Sequence, residues 1–285
     1  PTTAEAYKEV FSKTALLDDV RRNLPEFPPE RVHQVNHHLA HAASAYFTSG
    51  WKDCLVIVID AMGETQSVTV YYGHDGELEK IREISASDSL GIFYSLVTLH
   101  LGFDFNADEY KIMGLAPYGD PERFKSFFDQ AVELRNGGSI RIPALRLNRT
   151  RDERENYLLT RKHLAEALIS ERKPQEEITD AHRDAAAALQ ECLNQAILHI
   201  CKHFGSSTGL RRLALAGGVA LNCTANGELM RSGLFDEIHI QPAAGDDGAA
   251  LGAALYRTSL HEAVTNRRMP APFYGPRHSQ DCIET

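Results

Sequence analysis

The chain has 285 residues, 43% hydrophobic and 24% charged, which suits a folded protein with a large core and excludes a disordered polypeptide. A formal net charge of -9 disfavours a nucleic-acid partner, which needs clustered Lys and Arg. Five scattered cysteines without a CxxC pair argue against a disulfide framework or thiolate zinc site, and without a membrane-length apolar run or signal peptide a cytoplasmic protein with no membrane partner is expected.

Residues 4–22 have the spacing of an amphipathic helix, which Pro25, Pro28 and Pro29 end. An Ala-rich helix is predicted from His37 to Phe47 and stopped by Gly50, followed by a continuous apolar run from Cys54 to Asp60 that reads as a fully buried strand. Residues 66–72 and 77–84 read as a hairpin around the turn at 73–76. Helices are predicted at 89–102 and 121–134, and residues 136–160 read as a surface loop with a short strand. A long helix over 180–204 precedes a short strand at 212–216, a Gly217-Gly218 turn and a further helix. Strand 236–241, the turn Gly245 to Gly248 and an Ala-rich helix ending near Tyr256 lead into a tail with Pro270, Pro272 and Pro276. The punctuation predicts two α/β lobes, one around 30–86 and one around 205–260, with a ligand between them.

His37 and His41 stand four apart, so a helix projects both from one face, while His38 points elsewhere. Such a pair is more often packing than a metal site, and HHLAH lacks the glutamate of a zincin helix. Asp60 ends a buried strand, where an ionised carboxylate needs a partner or a cation, although a cap or turn role competes. Asp246 and Asp247 begin the last helix, where capping is the default role and ligation the alternative. The turns AMGETQS and AGGVALN can bring backbone amides to a phosphate or adenosine, or can be tight connections. In ADEYKIMGLAPYG, Glu109 and Lys111 suit a cleft wall or a solvated ion pair.

Together, VNHHLAHAASAYFTSG, VIDAMGETQSVTVYYG, ADEYKIMGLAPYGDPERF, LALAGGVALNCTANGEL and QPAAGDDGAALGAAL resemble the carbamoyltransferases of the nodulation and antibiotic-biosynthesis family. The resemblance implies an actin-like (ASKHA) α/β nucleotide-binding fold of two lobes around a cleft. It implies a divalent metal, iron first with zinc or manganese open, on His37, His41, Asp60 and Asp246, the last aligning with the family's first turn aspartate. It implies ATP or carbamoyl adenylate held near Gly63, Glu64, Glu109, Lys111, Gly217, Gly218 and Asn222.

By the same resemblance, a YrdC-like domain makes carbamoyl adenylate from carbamoyl phosphate and ATP, and the actin-like domain passes the carbamoyl group to a hydroxyl of a small acceptor such as an antibiotic or signalling glycolipid. Residues 1–268 are expected to be the actin-like domain without its first strands, and residues 269–285 a linker toward the YrdC-like domain, so the chain is expected to be a piece of a larger assembly. The general base is expected in the family's amino-terminal segment ahead of residue 1. An ASKHA-fold small-molecule kinase and a non-catalytic nucleotide-binding module are the alternatives.

Overall fold

A computed structural model describes residues 12–264 and 266–269. Residues 4–11 of the predicted amino-terminal helix and residues 270–285 of the predicted linker lie outside this range. The helix is described as α1 (Lys13–Asn23), opened by Ser12, whose side chain accepts a hydrogen bond from the Ala15 amide.

One mixed sheet organises the chain. Its strands are β1 (Asp53–Ile59), β2 (Gln66–His74), β3 (Glu77–Ser85), β6 (Arg212–Ala216) and β7 (Glu237–Ile240), in the order β3-β2-β1-β6-β7. The hairpin β2-β3 turns on Asp75 and Gly76, both with positive φ, and β2 runs antiparallel to β1. Strands β1, β6 and β7 are mutually parallel, with Leu55 opposite Leu213 and Leu213 opposite Ile238. The expectation of two separate lobes is therefore corrected: segments 30–86 and 205–260 supply neighbouring strands of the same sheet. The hairpin satisfies only one edge of β1, and its other edge is paired by β6 from about 150 residues further along.

Strand β1 is buried on both faces, as its unbroken apolar run predicts. Leu55, Ile57 and Ile59 pack with α3 (Leu90–His100) and the long helix α8 (Asp180–Thr208), whereas Cys54, Val56 and Val58 pack with Ala42, Tyr46 and Phe47 of α2 (His37–Ser49). Helix α2 is covered in turn by α10 (Ala249–Ser259). The charged outer strand β3, with Glu79, Lys80, Arg82 and Glu83, blunts that edge against further pairing.

Between α3 and α8 lie α4 (Glu109–Leu115), α5 (Lys125–Ala131), the hairpin of β4 (Glu133–Arg135) and β5 (Ser139–Arg141), α6 (Arg151–Asn156) and α7 (Leu158–Ala167). The expected surface loop at 136–160 is thus largely ordered, because Ile140, Ile142, Ala144 and Leu145 join the main core and Asp88 accepts hydrogen bonds from the Ile142 amide and Arg146. The predicted helix 121–134 shrinks to α5 behind a 3-10 turn at Pro121–Arg123. Helix α9 (Cys223–Arg231) follows β6 after a 3-10 turn at Gly218–Leu221. Among the described residues no helix is long and apolar enough to cross a membrane.

Candidate metal centre and adjoining cavity

The carboxyl ends of the parallel strands β1, β6 and β7 point to one edge of the sheet, where α/β proteins commonly place their ligands. Asp60 follows β1, Gly217 and Gly218 follow β6, and Asp246 opens the 3-10 turn at Asp246–Gly248 after β7. Helix α2 starts over the same edge. Asn36 caps it by accepting from the Leu39 amide, and Gly50 ends it with φ of +81°.

His37 and His41, one helical turn apart, aim their Nε2 atoms at the two carboxylates. His37 Nε2 lies 3.0 Å from Asp60 Oδ2 and 3.3 Å from Asp246 Oδ1. His41 Nε2 lies 3.4 Å from Asp246 Oδ1, 3.7 Å from Asp60 Oδ2 and 3.2 Å from His37 Nε2. All four ligand atoms fall within 4.8 Å of one another. Around a cation with bonds of about 2.1 Å, adjacent ligand atoms sit about 3.0 to 3.5 Å apart, so this spacing fits a single ion. Two imidazoles and two carboxylates suit iron, zinc or manganese.

The electrostatics point the same way. Burial alone would push the Asp60 carboxyl up, yet hydrogen bonds from His37 and the Gly218 amide, with His41 nearby, bring it down to about 2. The hydrogen bond to Asp60 raises His37 above its usual range against the opposing effect of burial, whereas burial depresses His41. A proton on His37 and a cation are therefore competitors for one cluster of negative charge. His41 Nδ1 is buried without a hydrogen-bond partner, so the polar partners of that ring all lie on the cluster side. His38 is turned away, as its helical position predicts, with Nδ1 2.7 Å from Thr69 Oγ1.

A cavity of about 330 Å³ adjoins the cluster and shares Asp60 with it. Gly218, Asn222 and Glu109 line it, as do Tyr94 and Ser95 of α3. Ala61 and Gly91 line it too, with Ser89, the cap of α3, donating to the Ala61 carbonyl and Gly91 so near Ala61 that a Cβ would lie 2.8 Å from its Cα. Glu109 accepts from the Ser95 hydroxyl and from the Asn106 amide at 2.8 Å.

The remaining nucleotide-binding expectations are placed differently. Lys111 is not among the cavity-lining residues and pairs with Asp108 at 2.8 Å, so a Glu109–Lys111 pair is not formed. Glu64 accepts from the His37 amide at 2.9 Å and from Asn36, holding the start of α2. The amides of Gly63, Gly217 and Gly218 donate to Gln66 O, Ala244 O and Asp60 Oδ1. At Gly217, with φ of +93°, a Cβ would stand 2.2 Å from the Ile59 carbonyl oxygen, so close packing of β6 on β1 demands glycine there. Tyr94, Ser95, Asn106 and Met113 line the cavity without having been singled out; a core-helix pattern gives no hint of which polar members of α3 face a void.

Comparison with known proteins places the chain in a family. A family model described as "Carbamoyltransferase N-terminus" matches residues 4–255. Nodulation protein NolNO of Sinorhizobium fredii is 40% identical over 257 residues, covering 90% of this chain and 36% of that protein. Nodulation protein NolO of Bradyrhizobium diazoefficiens is 41% identical over 249 residues, covering 85% of this chain and 42% of that protein. The chain thus spans less than half the length of these two relatives. A crystal structure of T. kodakarensis HypF superposes with a TM-score of 0.45 at 16% identity, covering 87% of this chain and 38% of that one. On its sequence match across most of its length, the chain belongs to the carbamoyltransferase family and corresponds to its amino-terminal region.

Proposed function

We propose that this segment carries the metal-dependent transfer site of an enzyme that moves a carbamoyl group from carbamoyl adenylate to a hydroxyl of a small acceptor. The supporting observation is the convergence of His37, His41, Asp60 and Asp246 within 4.8 Å, on the rim of a cavity that shares Asp60. In this reading the cavity takes the nucleotide portion, with Asn222, Glu109 and Tyr94 offering it polar contacts, and the sheet with helices on both faces is one lobe of an actin-like architecture.

The acceptor oxygen attacks the carbamoyl carbon, forming the new C–O bond as the bond to the phosphate oxygen breaks. AMP leaves with that electron pair, and the hydroxyl proton passes to a base that we place in another part of the full protein. A divalent cation, when bound, supplies Lewis-acid stabilisation of charge on the phosphate side. The chain's own contribution is to hold the two imidazoles and two carboxylates together at the mouth of the cavity. Asp60, 6% exposed and held by the Gly218 amide, keeps its carboxylate fixed between the two regions. Carbamoyl phosphate enters through a YrdC-like domain that makes the adenylate.

The test replaces His41 by alanine in the full protein and measures bound metal by elemental mass spectrometry and transfer by the mass gain of the acceptor. Loss of both is expected; retention of both overturns the assignment.

A further inference from the structure

Beside the cavity, four side chains, Gln190, Asn194 and Tyr94 buried and Asn222 partly buried, form an exchange of hydrogen bonds. Gln190 of α8 and Asn222 face each other as a reciprocal amide pair, Gln190 Nε2 donating to Asn222 Oδ1 at 3.0 Å and Asn222 Nδ2 donating to Gln190 Oε1 at 2.9 Å. Gln190 Nε2 also donates to Asn194 Oδ1 at 2.8 Å, and the Tyr94 hydroxyl meets Gln190 Oε1 at 3.1 Å. Both donors and both lone pairs of the Gln190 amide are therefore engaged.

The direction of every bond in this exchange follows from one backbone group. Asn222 Oδ1 accepts from the Ala225 amide at 2.9 Å, the helix-capping bond that opens α9. A backbone N–H can only donate, so this atom must be the oxygen. The atom of Gln190 facing it must then be nitrogen, and the other Gln190 atom must be oxygen. Against that oxygen the Tyr94 hydroxyl has to donate. Its hydrogen is committed, so to any further partner the hydroxyl oxygen offers only a lone pair. Tyr94 and Asn222 both line the cavity, whereas Gln190 does not.

We propose that Tyr94 is a specificity-determining residue whose hydroxyl accepts a hydrogen bond from a hydroxyl or amino group of the cavity's ligand, with Gln190 as the positioning residue that sets this polarity. The proposal deepens the reading of the cavity as a nucleotide site and rests on it. A wall that can only accept selects ligands that donate at that point, and an analogue lacking the donor leaves the oxygen unpaired in a half-enclosed space. The ribose hydroxyls and the 6-amino group are the donors that adenosine offers.

Calorimetry on the full chain with three probes tests it: AMP, its 2′,3′-dideoxy analogue and purine riboside monophosphate, which lacks the 6-amino group. Wild type is expected to bind AMP about 10-fold more tightly than one of the two deleted analogues, the size of one buried hydrogen bond. Tyr94→Phe should lose that discrimination by weakening AMP alone. Gln190→Met frees the tyrosine hydrogen and should shrink the same ratio, with affinity for the deleted analogue unchanged; a general loosening of the cavity would instead weaken all three probes. Equal discrimination in wild type and both variants overturns the proposal and leaves the nucleotide reading standing. If wild type binds none of the three probes, both fall together.

Discussion

Gly252 of α10 lies directly over the carbonyl of Ala40 in α2, so that a Cβ at position 252 would stand 1.8 Å from that oxygen. The contact sets how closely α10 approaches the helix that carries both histidines, and the turn that supplies Asp246 leads straight into α10. Gly252→Ala must push the two helices apart. It is expected to destabilise the fold by about 1–3 kcal/mol, as overpacking does, and to weaken metal binding because Asp246 retreats from His37 and His41. Gly114→Ala, where nothing lies within 4 Å, is the control and should be neutral or stabilising by up to about 1 kcal/mol. Thermal unfolding and chelator competition for zinc read the two effects, and unchanged metal affinity in Gly252→Ala would rule out its role in placing Asp246.

Glu64 bridges two parts of the metal centre, since the loop after β1 that begins with Asp60 also brings this carboxylate to the His37 amide and to Asn36. Glu64→Ala leaves the first turn of α2 without that acceptor. A loss of about 1–2 kcal/mol is expected, together with a metal affinity lower by about 10- to 100-fold, typical when a group that orients a ligand is removed. Glu64→Gln keeps an acceptor for the His37 amide and should recover part of both. Equal metal affinity in all three proteins would show that Glu64 does not position His37.

His239 supplies a pH dependence away from the metal cluster. It stands on β7 with Nε2 3.1 Å from Thr48 Oγ1, and burial, aided by the charge of Arg268, brings its pKa down from 6.5 to about 4. Between these values the unfolded chain binds more protons than the native one, so stability rises with pH there and falls on acidification. The contribution is fully present above pH 6.5 and disappears as pH drops through 4, amounting to about 3 kcal/mol at most. Denaturant unfolding at stepped pH should show this slope in wild type and a shallower one in His239→Gln; identical slopes would remove His239 as the cause.

Asp88, 5% exposed, ties the segment after β5 to the end of the sheet through the Ile142 amide at 3.0 Å and Arg146 Nε at 2.9 Å. Asp88→Ala leaves a buried amide and a half-exposed guanidinium without their acceptor. Destabilisation of about 2–3 kcal/mol is expected, below the figure for a fully buried pair because Arg146 reaches solvent. Limited proteolysis should find new cleavage within 143–160, and its absence would mean that the core contacts of Ile140 and Ile142 hold this segment by themselves.

The hairpin and the buried strand were legible because local signals carry them: alternation over 66–72, a turn at 73–76, and an apolar run that only a doubly covered strand explains. The segment 136–160 was read only in part, its short strand present as β5 but its helices missed, for the converse reason. Its apolar residues are few and spaced without a period, and their burial depends on Asp88 and on a core built from distant helices. The lobes were misdivided because pairing between β1 and β6 leaves no mark on the periodicity of either strand.

At the site, helical spacing by itself put His37 and His41 on one face and sent His38 to the other, and strand burial by itself made Asp60 a carboxylate in need of a partner. Asp246 was preferred over Asp247 through resemblance alone, since a turn aspartate before a helix is equally well a cap. Tertiary structure decided that it reaches both imidazoles, that Glu64 holds α2, that Lys111 pairs with Asp108, and that the Gly63, Gly217 and Gly218 amides bond within the chain. Local sequence determines which way a side chain leaves its own element. Which group it then meets is set by sheet register and helix approach, which sum contacts over the whole chain.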